Sequence, residues 1–126
     1  MASEINKPAP KGLARLQDAA RYSWAGFRAA VRHEESFRLE LMAGALLFPA
    51  AFWITESALE RIALLLPLLL VLITELLNSA LETVVDRIST EHHPLSGRAK
   101  DIGSAACFLA QMSVILVWSL LLLDKF

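Results

Sequence analysis

The chain has 126 residues and a formal charge of −1, and 56% of its residues are hydrophobic, for a mean hydropathy of +0.49. The length fits one domain, the balanced charge gives no reason to expect nucleic acid, and the apolar content exceeds that of an ordinary soluble domain. A single cysteine, Cys107, excludes an intrachain disulfide and cannot make a metal site alone.

Residues 1–12, with Lys7, Pro8, Pro10 and Lys11, read as a disordered lead-in. They lack the basic-then-apolar pattern of a signal peptide, so membrane insertion is expected to rely on internal helices. From Leu13 the pattern changes. Leu13, Leu16, Ala20, Trp24, Phe27 and Val31 recur at helical spacing, with Arg15, Asp18, Arg21, Arg28 and Arg32 on the other side. That is an amphipathic helix over 13–32, suited to lie in the membrane interface with Trp24 at headgroup depth.

The first spanning helix is expected over 34–55. Its purely apolar part, Leu41 to Ile54, is short for a span and contains Gly44 and Pro49, so the helix should begin earlier, within Glu34 to Glu40. A turn follows at Thr55 to Arg61, where Glu56 and Glu60 read as solvated. The second span is expected over 62–86, with Pro67 early in it. A polar loop over 87–101 is punctuated by Pro94 and Gly97. The third span is expected over 102–123, where about 22 residues at 1.5 Å each reach about 33 Å, enough to cross. Gln111 is its strongly polar interior residue, and Asp101 could cap its start. Cys107, Met112 and Trp118 read as packing or lipid-facing groups.

The second span is the unusual one. Its apolar run leads into Glu75, Asn78, Glu82 and Asp86, spaced i, i+3, i+7 and i+11. On a helix these form one narrow stripe. Facing lipid at mid-bilayer, each carboxylate would cost about 2.5–3.5 kcal/mol, so the stripe must face protein, water, an ion or a substrate. Seven of the twelve Lys and Arg residues precede residue 39, and the 87–101 loop holds Arg87, Arg98 and Lys100. The positive-inside rule then puts the N-terminus and this loop in the cytoplasm, with the C-terminus on the periplasmic side.

Near that interface stand Glu34, Glu40, Glu75, Asn78, Glu82, Asp86, His92, His93, Lys100 and Asp101, with Arg15 and Tyr22 from the amphipathic helix. Carboxylates suit Mg²⁺, which is often shared with substrate phosphates. Basic side chains suit phosphate oxygens, and a carboxylate beside the apolar layer suits a general base for a hydroxyl. These are parts for phosphoryl transfer to a lipid alcohol. The residues alone leave alternatives open: Asp86 could pair with an arginine to fix helix packing, and adjacent His92 and His93 are poorly spaced for one metal. The stripe could also line an ion-conducting oligomer or a non-catalytic scaffold. There is no phosphate-binding glycine loop of the G-x-x-x-x-G-K-[ST] kind.

Four blocks sharpen this reading. They are Tyr22-Ser23-Trp24-x-Gly26-x-Arg28-Ala29-Ala30, Glu34-x-x-Phe37-Arg38-x-Glu40, Glu75-x-x-Asn78-Ser79-Ala80-x-Glu82-x-Val84-Val85-Asp86-Arg87, and Leu95-Ser96-Gly97-Arg98-Ala99-Lys100-Asp101-x-Gly103-Ser104-Ala105-Ala106. In their order the chain resembles the prokaryotic diacylglycerol kinase family of small integral membrane proteins, from about Arg15 to the C-terminus. The resemblance implies an all-α membrane protein, with an N-terminal amphipathic surface helix and three transmembrane helices, assembled as a homotrimer with sites shared between subunits. It implies transfer of the γ-phosphoryl group of ATP to diacylglycerol in the bacterial inner membrane, with Mg²⁺.

It further implies Glu75 as the general base, supported by Asn78, and Glu34 and Glu82 as residues that hold Mg²⁺ and position the nucleotide. Lys100 and Asp101 would bind ATP, with Arg15, Tyr22, Glu91, His92 and His93 nearby. The lipid would lie near Ser23, Trp24, Arg28, Arg38, Glu40 and Ser104 and present its hydroxyl to Glu75. Undecaprenol kinases share the core of the third block, and the first and fourth blocks favour the diacylglycerol branch.

Overall fold

The computed structural model describes Pro8 and residues 11–126, so most of the expected disordered lead-in over 1–12 lies outside the described residues. The described residues form four helices: α1 (Leu13–His33), α2 (Glu35–Ile54), α3 (Ala58–Ile88) and α4 (Pro94–Lys125). The fold is all-α, as expected. The chain divides into two units, residues 1–33 and residues 34–126, each taken by itself below.

In the first unit Gly12, at φ +63°, turns the backbone in a conformation that a side chain would strain, and its carbonyl accepts from the Leu16 N–H at 3.3 Å. Helix α1 is amphipathic, with Leu13, Leu16, Trp24, Phe27 and Val31 all exposed. On its polar side Arg21 pairs with Asp18 at 2.9 Å and stands over the Tyr22 ring. Arg32 and His33 lie in its last turn, where positive charge meets the negative end of the helix dipole.

In the second unit α3 packs against both α2 and α4. Each of these three helices is long and apolar enough to cross a membrane. Most of their large apolar side chains are exposed, including Leu46, Trp53, Leu59 and Leu120. Exposure on that scale suits a hydrocarbon surrounding and not water.

Helix α4 begins earlier than the sequence suggested. The expected 87–101 loop contracts to Ser89–His93, because Pro94 occupies the first turn, where its missing N–H costs nothing, and His93 Nδ1 accepts from the Leu95 N–H at 3.1 Å. His93, not Asp101, therefore caps this helix. Helix α3 starts at Ala58, four residues before the expected 62, because Ser57 caps it by accepting from the Glu60 N–H at 3.3 Å. Residues Pro94 to Lys100 thus belong to a helix, and Lys100 sits on a fixed surface.

The turn end of the bundle is tied by polar groups. Arg61 donates to the Thr55 and Phe52 carbonyls at 2.8 and 3.1 Å, closing the end of α2. Glu60 accepts from the Thr55 hydroxyl and pairs with Lys125 at 2.9 Å, joining the start of α3 to the end of α4. Glu60, expected as a solvated group, is thus part of a three-helix tie. Above it Ala51, Leu64 and Trp118 form a buried cluster, packed by Leu47, Leu68 and Val114 among others. Pro67 lacks an N–H for the carbonyl one turn back. The neighbouring carbonyl, of Leu64, accepts from the buried Trp118 indole at 3.1 Å.

This bond sets a test of the packing. Trp118→Phe should lower resistance to unfolding by about 1 kcal/mol in a denaturant titration in detergent micelles. An unchanged midpoint would count against the indole bond as a tie between α3 and α4.

Candidate functional site

The site lies at the other end of the second unit. The break between α1 and α2 falls at Glu34, which is extended at φ −115° and ψ 108° and makes no side-chain capping bond. Its carboxylate is therefore not spent on the helix. It lines a polar pocket of about 380 Å³ with Ser36, Glu75, Asn78, Glu82, Ser104, Cys107, Phe108 and Gln111. The α3 stripe supplies the middle three of its acidic and amide groups. Residues 104, 107, 108 and 111 form one face of α4, set against that stripe.

Glu75 is only 7% exposed, which is severe for a carboxyl group on an apolar helix. The Cys107 thiol and the Glu40 carboxyl are its close neighbours. Asn78 was expected to support Glu75; instead its amide nitrogen donates to Glu82 Oε1 at 3.3 Å. Its Oδ1 is buried without a hydrogen-bond partner. Gly103 makes room for that oxygen, since a β-carbon there would collide with it. An orphan amide oxygen and two carboxylates, Glu34 and Glu82, make an oxygen-rich lining that fits a hard divalent cation. Among the described residues no group of three or more His, Cys, Asp or Glu side chains could hold a metal by itself, so remaining ligands would have to come from water or substrate.

One turn further along both helices lies a second pocket, of about 210 Å³. It is lined by Asp86, Glu91, His92, His93, Gly97 and Lys100 among others. Lys100 Nζ pairs with Asp86 Oδ1 at 2.8 Å across α3 and α4. Asp86 therefore has a lysine partner and not an arginine. His93 caps α4, and His92 lines the pocket. Asp101 is exposed and lines none of the pockets described here.

Beside the first pocket, and sharing Gln111 with it, is an apolar groove of about 210 Å³ between α2, α3 and α4. Glu40 stands in its wall and accepts from Gln111 Nε2 at 3.2 Å. Gln111 lines both the polar pocket and the groove. Arg15, Tyr22, Ser23, Trp24 and Arg28 are exposed on α1, and Arg38 is exposed on α2.

The structure thus brings together Glu34, Glu75, Asn78, Glu82 and Ser104 in one pocket and Glu91, His92, His93 and Lys100 in another. Sequence reasoning gave no site role to Cys107 and Gln111. Their spacing from Ser104, at i+3 and i+7, was the signal that they share its face.

Fold and site define a small integral membrane protein with a carboxylate-lined polar pocket at one end of its spanning helices. Comparison with known proteins narrows the class. Residues 21–122 match the family described as prokaryotic diacylglycerol kinase. The chain is 47% identical over 115 residues to the diacylglycerol kinase of Escherichia coli strain K12, covering 91% of this chain and 94% of that protein. It is 48% identical over 112 residues to the diacylglycerol kinase of Pseudomonas aeruginosa strain PAO1, covering 89% and 91%. The counterpart from Haemophilus influenzae strain Rd is 48% identical over 107 residues, covering 85% and 91%. The chain belongs to the prokaryotic diacylglycerol kinase family.

The Asn78 contact can be tested without substrate. Gly103→Ala should displace the Asn78 side chain, break its bond to Glu82 and lower stability by about 1 kcal/mol. Side-chain amide resonances of Asn78 that stay in place in this variant would contradict the contact.

Proposed function

We propose that this chain transfers the γ-phosphoryl group of ATP to the hydroxyl of diacylglycerol, giving phosphatidic acid and ADP within the bacterial inner membrane. Membership of the kinase family supports the reaction class. The observation that carries the mechanism is the presence of Glu75, Glu34 and Glu82 in one pocket, with Glu75 almost wholly withdrawn from solvent.

Glu75 is the general base. It takes the proton of the lipid hydroxyl as that oxygen bonds to the γ-phosphorus, while the bond from phosphorus to the β–γ bridging oxygen breaks and ADP leaves. Glu34 and Glu82, which line the same pocket, would hold Mg²⁺, and Asn78 donates to the Glu82 carboxylate. The metal, when bound, neutralises charge on the phosphate oxygens. Lys100, oriented by Asp86, meets the nucleotide phosphates from the adjoining pocket, where Glu91, His92 and His93 line the space for the rest of ATP. Asp101 is assigned to ATP as well. On α1, Arg15 and Tyr22 are assigned to the nucleotide and Ser23, Trp24 and Arg28 to the lipid, which Arg38, Glu40 and Ser104 also meet.

The working unit is a homotrimer. Within the second unit the pocket has walls from only three helices, and Ser104, Phe108 and Gln111 remain exposed in it. A neighbouring subunit would close it. The N-terminus and the 89–93 turn face the cytoplasm, the side that holds ATP, a reading supported by the distribution of basic residues.

Transfer of label from γ-labelled ATP in mixed micelles tests the reaction. Label should appear on diacylglycerol only with Mg²⁺, and Glu75→Gln should reduce the rate by about 10²–10⁴-fold while ATP still binds. Label confined to undecaprenol would keep the mechanism and change the substrate. Loss of ATP binding in Glu75→Gln would remove the base assignment.

Shared sites have their own test. Mixing Glu75→Gln chains with Arg15→Leu chains, whose lesions lie on the pocket and on α1, should restore part of the activity that each lacks alone. Verified mixed trimers without any recovery would place each site within one chain.

A further inference from the structure

Glu40 of α2 and Glu75 of α3 are two acidic side chains that meet inside the membrane domain, within hydrogen-bonding reach of one another. Two carboxylates in contact and largely away from water repel, and one of them holds a proton. The bonds around Glu40 show how that proton is arranged. Glu40 Oε1 accepts from Gln111 Nε2 of α4 at 3.2 Å. Glu40 Oε2 is buried, and no donor among the described residues reaches it. As a bare carboxylate oxygen it would be an orphan. As an O–H it has an acceptor in Glu75.

The surroundings decide which of the two holds the proton. Glu40 stands in the wall of the apolar groove, where Gln111 is the one other polar side chain. Glu75 lines the polar pocket with Glu34 and Glu82, where the cation is proposed to sit. Apolar surroundings favour the neutral form of a carboxyl group, and a nearby cation favours the charged form. The groups of α4 that face the pair are the Gln111 amide and the Cys107 thiol, which lies within hydrogen-bonding reach of Glu75. No lysine, arginine or histidine lines either cavity to balance a second negative charge.

Resting on the proposed phosphorylation of diacylglycerol, we infer that Glu40 is a positioning residue for the base: held at Oε1 by Gln111, it is a neutral acid whose Oε2–H donates to the Glu75 carboxylate and keeps that carboxylate ionised and fixed in place. A carboxylate offers about four lone-pair sites on its two oxygens, so Glu75 accepts from Glu40 and still has room for the lipid hydroxyl. The Glu40 proton stays on Oε2 during the reaction, and the proton of the lipid hydroxyl goes to Glu75.

The test combines infrared spectroscopy with steady-state kinetics on the full-length protein in mixed micelles. At neutral pH the wild-type protein should show the carbonyl band of a protonated carboxylic acid. Glu40→Gln should remove this band. Glu75→Gln should leave it, because the groove keeps Glu40 neutral and the new amide oxygen still accepts from its O–H. In turnover, Glu40→Met has no donor for Glu75 and should lower kcat about a hundredfold, with the KM for ATP unchanged. Glu40→Gln keeps an oxygen for Gln111 and puts an N–H where the O–H stood. It should turn over about tenfold faster than Glu40→Met.

A wild-type spectrum without the band overturns this inference. So does a band that survives in Glu40→Gln, or one that is lost in both variants. Turnover in Glu40→Gln no faster than in Glu40→Met also overturns it, as does a raised KM for diacylglycerol with kcat unchanged, which would reduce Glu40 to a lipid contact. The infrared comparison uses isosteric variants, so it decides even where Glu40→Met does not fold. All of these outcomes leave the proposed reaction standing. Wild-type protein that phosphorylates no diacylglycerol removes that reaction first, and this inference with it.

Discussion

An acidic side chain on a membrane-spanning helix is the constraint from which the rest of this molecule follows. Helix α3 carries Glu75, Asn78, Glu82 and Asp86 along one stripe, and none of them can face hydrocarbon without a large penalty. Each is met in a different way. Glu75 turns inward and is almost fully buried; Asn78 and Glu82 bond to one another; Asp86 reaches Lys100 on α4. The stripe is what requires α4 to present Ser104, Cys107 and Gln111 where a purely apolar face would otherwise pack.

The two ends of the second unit answer different demands. At the turn end, Arg61 closes the carbonyls of α2, and Glu60, Thr55 and Lys125 link three helices. Those groups are satisfied by one another. At the opposite end the acceptors outnumber the donors: Glu34, Glu75, Glu82 and the orphan Asn78 Oδ1 share a pocket lined by no lysine or arginine. A region so rich in acceptors is completed by what it binds, and cations, N–H groups and hydroxyls are the candidates. One end is built for cohesion and the other for a ligand.

Much of this was legible before any coordinates, and the reasons are physical. The three spans followed from apolar run length, and the stripe from simple helical periodicity, because both signals lie within one stretch of chain. Part of what escaped required two stretches at once. Gln111 looked like an isolated polar residue until Glu40, 71 positions away, stood opposite it. The resemblance implies Asn78 as a support for Glu75, and its amide donates to Glu82, one turn further along the same helix. The polar composition over 87–101 reads as irregular structure, and the loop before α4 is shorter than that composition suggests. Pro94 in the first turn with His93 capping is a local helix-start signal that the composition masked. The roles of α1 rest on its sequence blocks alone.

A kinase acting on a membrane lipid has to let a water-borne nucleotide and a bilayer-borne alcohol meet at one phosphorus atom. The arrangement along α3 and α4 grades the surroundings in that order. The pocket around His92 and Lys100 is polar and carries charge of both signs; the pocket around Glu75 carries acidic and amide groups; the groove below Gln111 is almost wholly apolar. Polar and apolar surroundings are thereby sorted by position along two adjacent helices. Glu75 stands at the step where the gradient is steepest. There a carboxylate lies among polar groups yet is almost fully withdrawn from water, the setting that the proposed base role calls for.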